Sequence, residues 1–217
     1  MGLFLSVAVA GDIQGQVLVT HGLTKKKVTL PSYQVRGPSP RITQEESDAI
    51  NELSRIVIYV EGPPKSSGKA GIPKLTQQNA KFVPQILAVP VGSTVQFPNA
   101  DPIFHNVFSL SKVKQFDLGF YPAGESRSVM FEQAGLVQVY CHLHPQMNAA
   151  ILVTPNPWYA QPDGEGKFVI AGVPAGTYDV VAWHKSAGFF RQSVAVPESG
   201  TVEISFNIPV ADREGKQ

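Results

Sequence analysis

The sequence predicts an all-β protein composed of two small β-sandwiches. The 217-residue chain contains 19 glycines and 18 prolines, which disfavour long helices and favour short strands joined by turns. Hydrophobic residues make up 43% of the chain, enough for sizeable cores. Short apolar and β-branched runs follow one another from Phe82 to Val153 and again from Lys167 to Ile208. Strands at this spacing are typical of sandwiches and barrels.

Charge and hydropathy exclude several classes of protein. The 18 Lys and Arg side chains nearly balance the 17 Asp and Glu side chains, whereas nucleic-acid-binding domains normally carry a basic face. We therefore expect no nucleic-acid partner. No apolar run reaches the roughly 18 residues that a membrane-spanning helix needs, so we expect no membrane span. The single cysteine excludes an intrachain disulfide.

The first ten residues, 1–10, have the character of an export-signal remnant. They are apolar and end in Ala8-Val9-Ala10, which matches a small-residue cleavage pattern. An ordinary first strand is the alternative. The signal interpretation predicts a periplasmic or otherwise exported protein.

The next part of the chain contains two strand signals and one helix signal. Gln14–Thr20 is a short β-type run, and Arg55–Val60 is β-branched and is predicted to be a buried strand. Thr43–Ser54 predicts a short helix, because Thr43 and Glu46 can form a capping box at its start.

A proline-rich break at Pro155–Pro157 divides the later strands into two groups. We therefore predict a first domain over residues 11–154, with an N-terminal extension, and a second sandwich over residues 155–210. Residues 211–217 form a polar tail. We expect residues 156–209 to be a separate folding unit without a metal of its own, and His184 to be a polar residue at a strand end.

The residues that carry chemistry are concentrated in the stretch from Cys141 to Met147, which reads CHLHPQM. A loop leaving a strand at Cys141 can curl so that His144 points back at the same metal, with Met147 on the far side. His105 would join them from a distant strand. Two imidazoles, one thiolate and a weak axial thioether are the donor set of a blue-copper centre. Zinc held by one cysteine and two histidines is the competing interpretation.

Residues 82–154 resemble a cupredoxin, with the short ligand loop of the amicyanin type. The resemblance rests on Phe97-Pro98-Asn99, His105-Asn106-Val107 and the Cys-x-x-His-Pro-x-Met motif. It implies a Greek-key β-sandwich that binds one type 1 copper through His105, Cys141, His144 and Met147. It also implies that Asn106 ties the two ligand loops together and tunes the sulfur. His142 alternates to the other face, so we expect it not to bind.

The C-terminal strands resemble the transthyretin-like or carboxypeptidase regulatory-like β-sandwich. The pattern that carries this resemblance is a turn at Asp163-Gly164, a strand, and Pro-x-Gly-x-Tyr from Pro174 to Tyr178. Members of that family are mostly non-enzymatic accessory modules. The combination resembles periplasmic proteins of the methylamine-utilisation type.

These features predict an exported copper protein that carries single electrons between a redox donor and a redox acceptor, neither of which the sequence identifies. No catalytic residues are predicted, and we expect the chain not to be an enzyme. The alternative is a copper-binding protein without redox partners, used for storage, sensing or surface attachment.

Overall fold

The computed structural model describes residues 10–22, 52–62 and 71–211, and most of these residues are in β-strands. This confirms the predicted all-β fold class. The predicted helix Thr43–Ser54 falls mostly outside the described residues; of it, Glu52 and Leu53 are helical. The predicted signal residues also lie outside, except Ala10, which begins the first strand. Within the described residues no helix is long and apolar enough to cross a membrane.

Sixteen strands occur in the described residues. Two precede the ligand-bearing region: β1 (Ala10–Gly22) and β2 (Ile56–Val60). Nine form that region: β3 (Thr76–Gln78), β4 (Lys81–Val83), β5 (Ile86–Pro90), β6 (Ser93–Pro98), β7 (His105–Ser111), β8 (Lys114–Tyr121), β9 (Ser126–Phe131), β10 (Gly135–Tyr140) and β11 (Asn148–Thr154). Five follow it: β12 (Tyr159–Ala160), β13 (Lys167–Pro174), β14 (Gly176–His184), β15 (Gly188–Val196) and β16 (Thr201–Ala211).

Residues 71–154 form a sandwich that we call the inner sandwich. Its larger sheet has the order β5-β11-β10-β7-β8, and its other face consists of the pairs β6-β9 and β3-β4. Alternating apolar residues of these strands meet in one core, in which the aromatic side chains Phe82, Phe97, Tyr121 and Phe131 are the largest members. Cys141 and Met147 belong to the same core, so the candidate site lies at one end of it.

The remaining strands form the outer sandwich, which consists of residues 10–22, 52–62 and 155–211. One sheet has the order β13-β1-β16 and the other has the order β12-β2-β14-β15. The strand β1 is central in the first sheet, running antiparallel to β13 and parallel to β16. The strand β2 is central in the second sheet, between β12 and β14.

This strand pairing corrects the predicted division of the chain. Residues 11–154 were expected to form one domain, and residues 156–209 a separate folding unit. The hydrogen bonding instead places β1 and β2 inside the sheets of the C-terminal strands. The physical reason is that β1 completes the sheet between β13 and β16 and β2 completes the sheet between β12 and β14, and their residues Ile13, Val17 and Ile58 are part of the core between the two sheets.

A third cluster of buried residues joins the two sandwiches. Strand β2 is buried along its whole length and β11 at every residue after Asn148, since each strand has one face in its own core and one at the junction. The inner sandwich contributes residues such as Ile86 and Leu152, and the outer sandwich contributes Val57 and Trp183. The two sandwiches are therefore packed together through a shared apolar layer.

Candidate metal centre

The candidate ligands come from neighbouring strands of the inner sandwich. His105 is the first residue of β7, and Cys141 directly follows the last residue of β10. These strands are antiparallel neighbours, with Tyr140 paired to Phe108. The start of β7 therefore meets the end of β10. The loop that follows Cys141 returns into β11, and it is this loop that carries His144 and Met147.

The three nitrogen and sulfur donors converge. The Sγ atom of Cys141 lies 3.9 Å from Nδ1 of His105 and 3.8 Å from Nδ1 of His144. The candidate ligand atoms of these three residues all lie within 4.8 Å of one another. Donors about 2.0–2.3 Å from a common metal, at angles of about 110–130°, stand about 3.6–3.9 Å apart. Both sulfur-to-nitrogen distances therefore fit a common metal ion.

The tautomer of His105 is fixed by Asp101. His105 is fully buried, and its Nε2 lies 2.7 Å from Oδ2 of Asp101. Because a carboxylate only accepts hydrogen bonds, Nε2 carries the proton and Nδ1 presents its lone pair toward Cys141. A carboxylate partner of this kind orients a ligating imidazole and raises its basicity.

Asp101 is itself held by a tight turn between β3 and β4. Its carboxylate accepts hydrogen bonds from the backbone amides of Asn79, at 2.6 Å, and Ala80, at 2.8 Å. Burial alone would raise the pKa of Asp101, but the hydrogen bonds from Ala80, His105 and Asn79 outweigh it and hold the pKa below its ordinary value of 3.8. The carboxylate is therefore charged at neutral pH.

Asn106 connects the two ligand segments. Its Oδ1 accepts a hydrogen bond from the backbone amide of His142 at 3.4 Å, and its Nδ2 donates to Asp117 at 2.6 Å. Asp117 also accepts from the amide of Gly119, which is the largest influence lowering the pKa of that carboxyl. Asn106 therefore links the segment that begins at His142 to Asp117 of β8, and its role in tuning the sulfur stays a prediction.

The other two predicted residues lie on opposite sides of the loop. His142 is exposed, stacks on Phe108 with ring centroids 3.8 Å apart, and has Nε2 3.6 Å from Asp117, so it faces away from Cys141. Met147 is only 1% exposed and shares the core cluster with Cys141. Its assignment as the axial ligand stays a prediction.

Sequence reasoning missed Asp101 and Asp117. Asp101 lies only four residues before His105, in a short segment that begins with Asn99. This spacing could have indicated a carboxylate partner for the ligand histidine. The role of Asp117 could not be found in this way, because β8 was not predicted as a strand. The left-handed backbone of Gly119, with φ of 65°, interrupts the β pattern there.

Comparisons with known proteins add a likeness to copper proteins. No protein-family model matches the chain. No curated protein matches it either. A Cu(I) structure of a mutant amicyanin is 22% identical over 44% of this chain and 97% of that chain, with a TM-score of 0.37. A purple cupredoxin from Nitrosopumilus maritimus is 25% identical over 42% of this chain and 94% of that chain, with a TM-score of 0.33.

A copper-containing nitrite reductase from Thermus scotoductus SA-01 is also similar. It is 24% identical over 42% of this chain and 25% of that chain, with a TM-score of 0.37. The function of this chain is inferred from the geometry of its own site.

Proposed function

We propose that this protein binds one copper ion between His105, Cys141 and His144, with Met147 as a weak axial donor, and carries single electrons. The observation that carries the proposal is the placement of the Cys141 thiol 3.8–3.9 Å from two imidazole nitrogens. Two imidazoles and one thiolate suit both oxidation states of copper, since nitrogen suits Cu(II) and sulfur suits Cu(I). When bound, copper would supply a one-electron Cu(II)/Cu(I) couple.

The chain's own residues keep this donor set rigid. Asp101 fixes the ring of His105 from behind, and Asn106 holds the segment that begins at His142. Two backbone hydrogen bonds close the ligand loop: Met147 N donates to His144 O at 2.8 Å, and Cys141 N donates to Met147 O at 3.3 Å. Ligands held in this way need to move little when the charge of the site changes, which favours electron transfer over storage.

An electron would enter and leave through His144. Its side chain is partly exposed, whereas His105 is fully buried. The residues before the two ligand histidines are apolar and exposed, Leu143 at 51% and Phe104 at 56%. Such a rim suits brief contact with a soluble redox protein, as donor or as acceptor. We propose a carrier and not an enzyme, because the candidate donors are fixed at one end of a buried core.

We also infer that the protein is exported. The support is the Ala8-Val9-Ala10 pattern. Cleavage after Ala10 would leave β1 beginning at Gly11, which pairs with Val173, so the strand would keep its register.

The experiment adds Cu(II) to the metal-free protein and records absorption and paramagnetic resonance spectra. We expect one copper per chain and an intense visible band from thiolate-to-copper charge transfer. Cys141→Ser should abolish the band, while the control His142→Ala should keep it, because that ring stacks on Phe108. A colourless protein that prefers Zn²⁺ would contradict the proposal, as would a blue Cys141→Ser variant.

A second measurement separates a carrier from a binding protein. Met147→Leu should keep copper bound and raise the reduction potential, since the thioether is a weak donor that stabilises Cu(II) slightly. Electron self-exchange should be fast in the wild-type protein. Slow self-exchange in a blue protein would favour storage, sensing or attachment.

A further inference from the structure

A side chain of the outer sandwich reaches the end of the ligand loop of the inner sandwich. Nζ of Lys185, in the turn between β14 and β15, donates to Oδ1 of Asn148 at 3.1 Å. Asn148 directly follows Met147 and is the first residue of β11. Its Nδ2 donates to the carbonyl of Gln146 at 3.1 Å. The side-chain amide of Asn148 therefore connects Gln146 in the ligand loop to Lys185 in the outer sandwich.

The backbone around Asn148 closes the ligand loop. Asn148 pairs with Tyr140 across β10 and β11, so the seven residues between them form the loop. The hydrogen bonds from Met147 N to His144 O and from Cys141 N to Met147 O lie immediately inside this closure. A displacement of Asn148 would consequently move Met147 and lengthen both hydrogen bonds.

The turn that presents Lys185 is built around His184. This ring is fully buried, and its Nδ1 accepts hydrogen bonds from the amides of Ser186, at 3.2 Å, and Ala187, at 3.0 Å. Since Nδ1 accepts, the proton of the neutral ring is on Nε2, which lies 2.9 Å from Oε2 of Glu52. The predicted strand-end residue is therefore the organising residue of this turn.

A second attachment holds the backbone of the turn. The amide of Lys185 donates to the carbonyl of Arg55 at 3.1 Å, and the guanidinium of Arg55 donates to Glu52 at 2.9 Å. Glu52 thus faces both Arg55 and His184. Lys185 extends toward Asn148 from a turn that is fixed at its backbone and at the preceding side chain.

We propose that Lys185 is a positioning residue for the candidate metal site, acting through Asn148 on the Met147 end of the ligand loop. The outer sandwich is then part of the site's support and not a passive accessory. The effect on copper rests on the proposed function, whereas the effect on the loop does not require a metal.

The test uses the full-length, metal-free protein and the variant Lys185→Met, which keeps an apolar stem and removes the donor. The matched control is Lys112→Met, which loses the same charge from an exposed position between β7 and β8, at the opposite end of β7 from His105. Hydrogen exchange is measured at the amides of Met147 and Cys141. We expect about 3- to 10-fold faster exchange in Lys185→Met, the factor that one hydrogen bond supplies, and no change in Lys112→Met.

A general loss of stability is distinguished by exchange in the core. The amide of Val95, in β6, should be unaffected by Lys185→Met if the effect is confined to the loop. In an Asn148→Ala background, Lys185→Met should have no further effect on the loop amides, because the partner is absent. Equal exchange in Lys185→Met and Lys112→Met, or uniform acceleration that includes Val95, would overturn the proposal.

The copper-loaded protein gives a readout that a purely structural role would not move. Lys185→Met should change the position or relative intensity of the visible bands, and Lys112→Met should not. If the loop amides respond but the wild-type protein takes up no copper, the positioning role stands and the proposed function fails. If the wild-type protein is blue and the loop amides of Lys185→Met do not respond, the function stands and the positioning role fails.

Discussion

The inner and outer sandwiches are assembled from the chain in different ways. The inner sandwich is a continuous segment, and its ligand loop is the connection of one hairpin, β10 to β11. The outer sandwich joins the two ends of the described chain, since Asp12 of β1 pairs with Thr201 of β16. The inner sandwich therefore lies between two parts of the outer one, and the candidate metal site belongs entirely to the continuous segment.

The sequence supplies a separate probe for each sandwich. Both tryptophans, Trp158 and Trp183, are in the outer sandwich, and the single cysteine, Cys141, is in the inner one. Tryptophan fluorescence therefore follows the outer sandwich. The rate at which the buried Cys141 thiol reacts with a disulfide reagent follows opening of the inner sandwich.

The largest expected effect comes from ending the chain after Thr154. Strands β1 and β2 would then lose every partner strand in their sheets, and the five buried residues Ile56–Val60 would be exposed. We expect this shortened chain to aggregate. A chain of residues 71–154 alone lacks those orphaned strands and exposes only its side of the junction, such as Ile86 and Leu152, so we expect it to be folded by circular dichroism and to aggregate less than the 1–154 chain in sedimentation. A soluble, monomeric 1–154 chain would contradict the strand pairing described above.

The junction between the sandwiches gives the next largest effect. Trp183→Ala removes a side chain that is 2% exposed and packs with residues of both sandwiches, and we expect a loss of about 3–5 kcal/mol in the free energy of unfolding. Leu110→Ala, at a position 76% exposed, should change it by less than about 0.5 kcal/mol. Urea denaturation measures the free-energy change of both variants, with unfolding of the inner sandwich detected by the rate at which the Cys141 thiol reacts. A loss confined to the outer sandwich would show that the two do not stabilise each other.

The comparison also explains what the sequence could predict. The ligand set depended on local spacing, because Cys141, His144 and Met147 lie in one loop and a loop has few ways to close. The succession of short strands from Phe82 to Val153 was predicted, and β5, β6, β7, β9, β10 and β11 follow it closely, whereas β8 was missed. Regular alternation and nearby turns are sufficient for such segments.

The partners of β1 and β2 could not be predicted in the same way. Gln14–Thr20 was correctly predicted as β, and it lies within the observed β1. The alternation of residues in a strand indicates which face of the strand is apolar, but it does not indicate which distant strand will pair with that strand. The close approach of Gly15 to the backbone of Ile204 is a property of the pair, since a Cβ at Gly15 would overlap the Ile204 carbonyl oxygen. Neither segment alone indicates that contact.

A smaller effect is expected from a carboxylate that each sandwich uses in a turn. Asp101 in the inner sandwich accepts hydrogen bonds on both oxygens, from Asn79 on Oδ1 and from Ala80 and His105 on Oδ2. Asp101→Asn would place an NH2 group against one of these donors, so we expect a loss of about 1–3 kcal/mol in the free energy of unfolding.

The matched variant in the outer sandwich is Asp163→Asn. Asp163 accepts from the amides of Glu165 and Lys167 on Oδ1 alone, and the side chain is in an exposed turn. An asparagine oxygen can replace that acceptor, so the change should be within about 0.5 kcal/mol. Thermal unfolding of both variants tests the contrast, and equal losses would show that the second oxygen of Asp101 contributes nothing.

The smallest expected effect is a difference in how the two sandwiches respond to acid. Burial, which is the largest influence, together with Arg55 outweighs the carboxylate of Glu52 and holds the pKa of His184 below its ordinary value of 6.5. The unfolded chain then binds a proton at a higher pH than the folded one. As the pH falls below about 6.5, the unfolded chain is protonated at His184 before the folded protein is. The folded protein therefore loses stability until the pH has fallen through the lower pKa that His184 has in the folded state. Asp101 behaves differently, because its lowered pKa means that its contribution to stability is lost only as the pH falls below about 3.8.

Between pH 7 and pH 5 we therefore expect the urea midpoint of the outer sandwich, reported by tryptophan fluorescence, to fall. The reaction of Cys141 with 4,4′-dithiodipyridine should show little additional opening of the inner sandwich over the same range. His184→Gln, which is uncharged throughout, should remove most of the fall in the fluorescence midpoint. A fall of the same size in His184→Gln would assign the acid sensitivity to another group and remove this distinction between the two sandwiches.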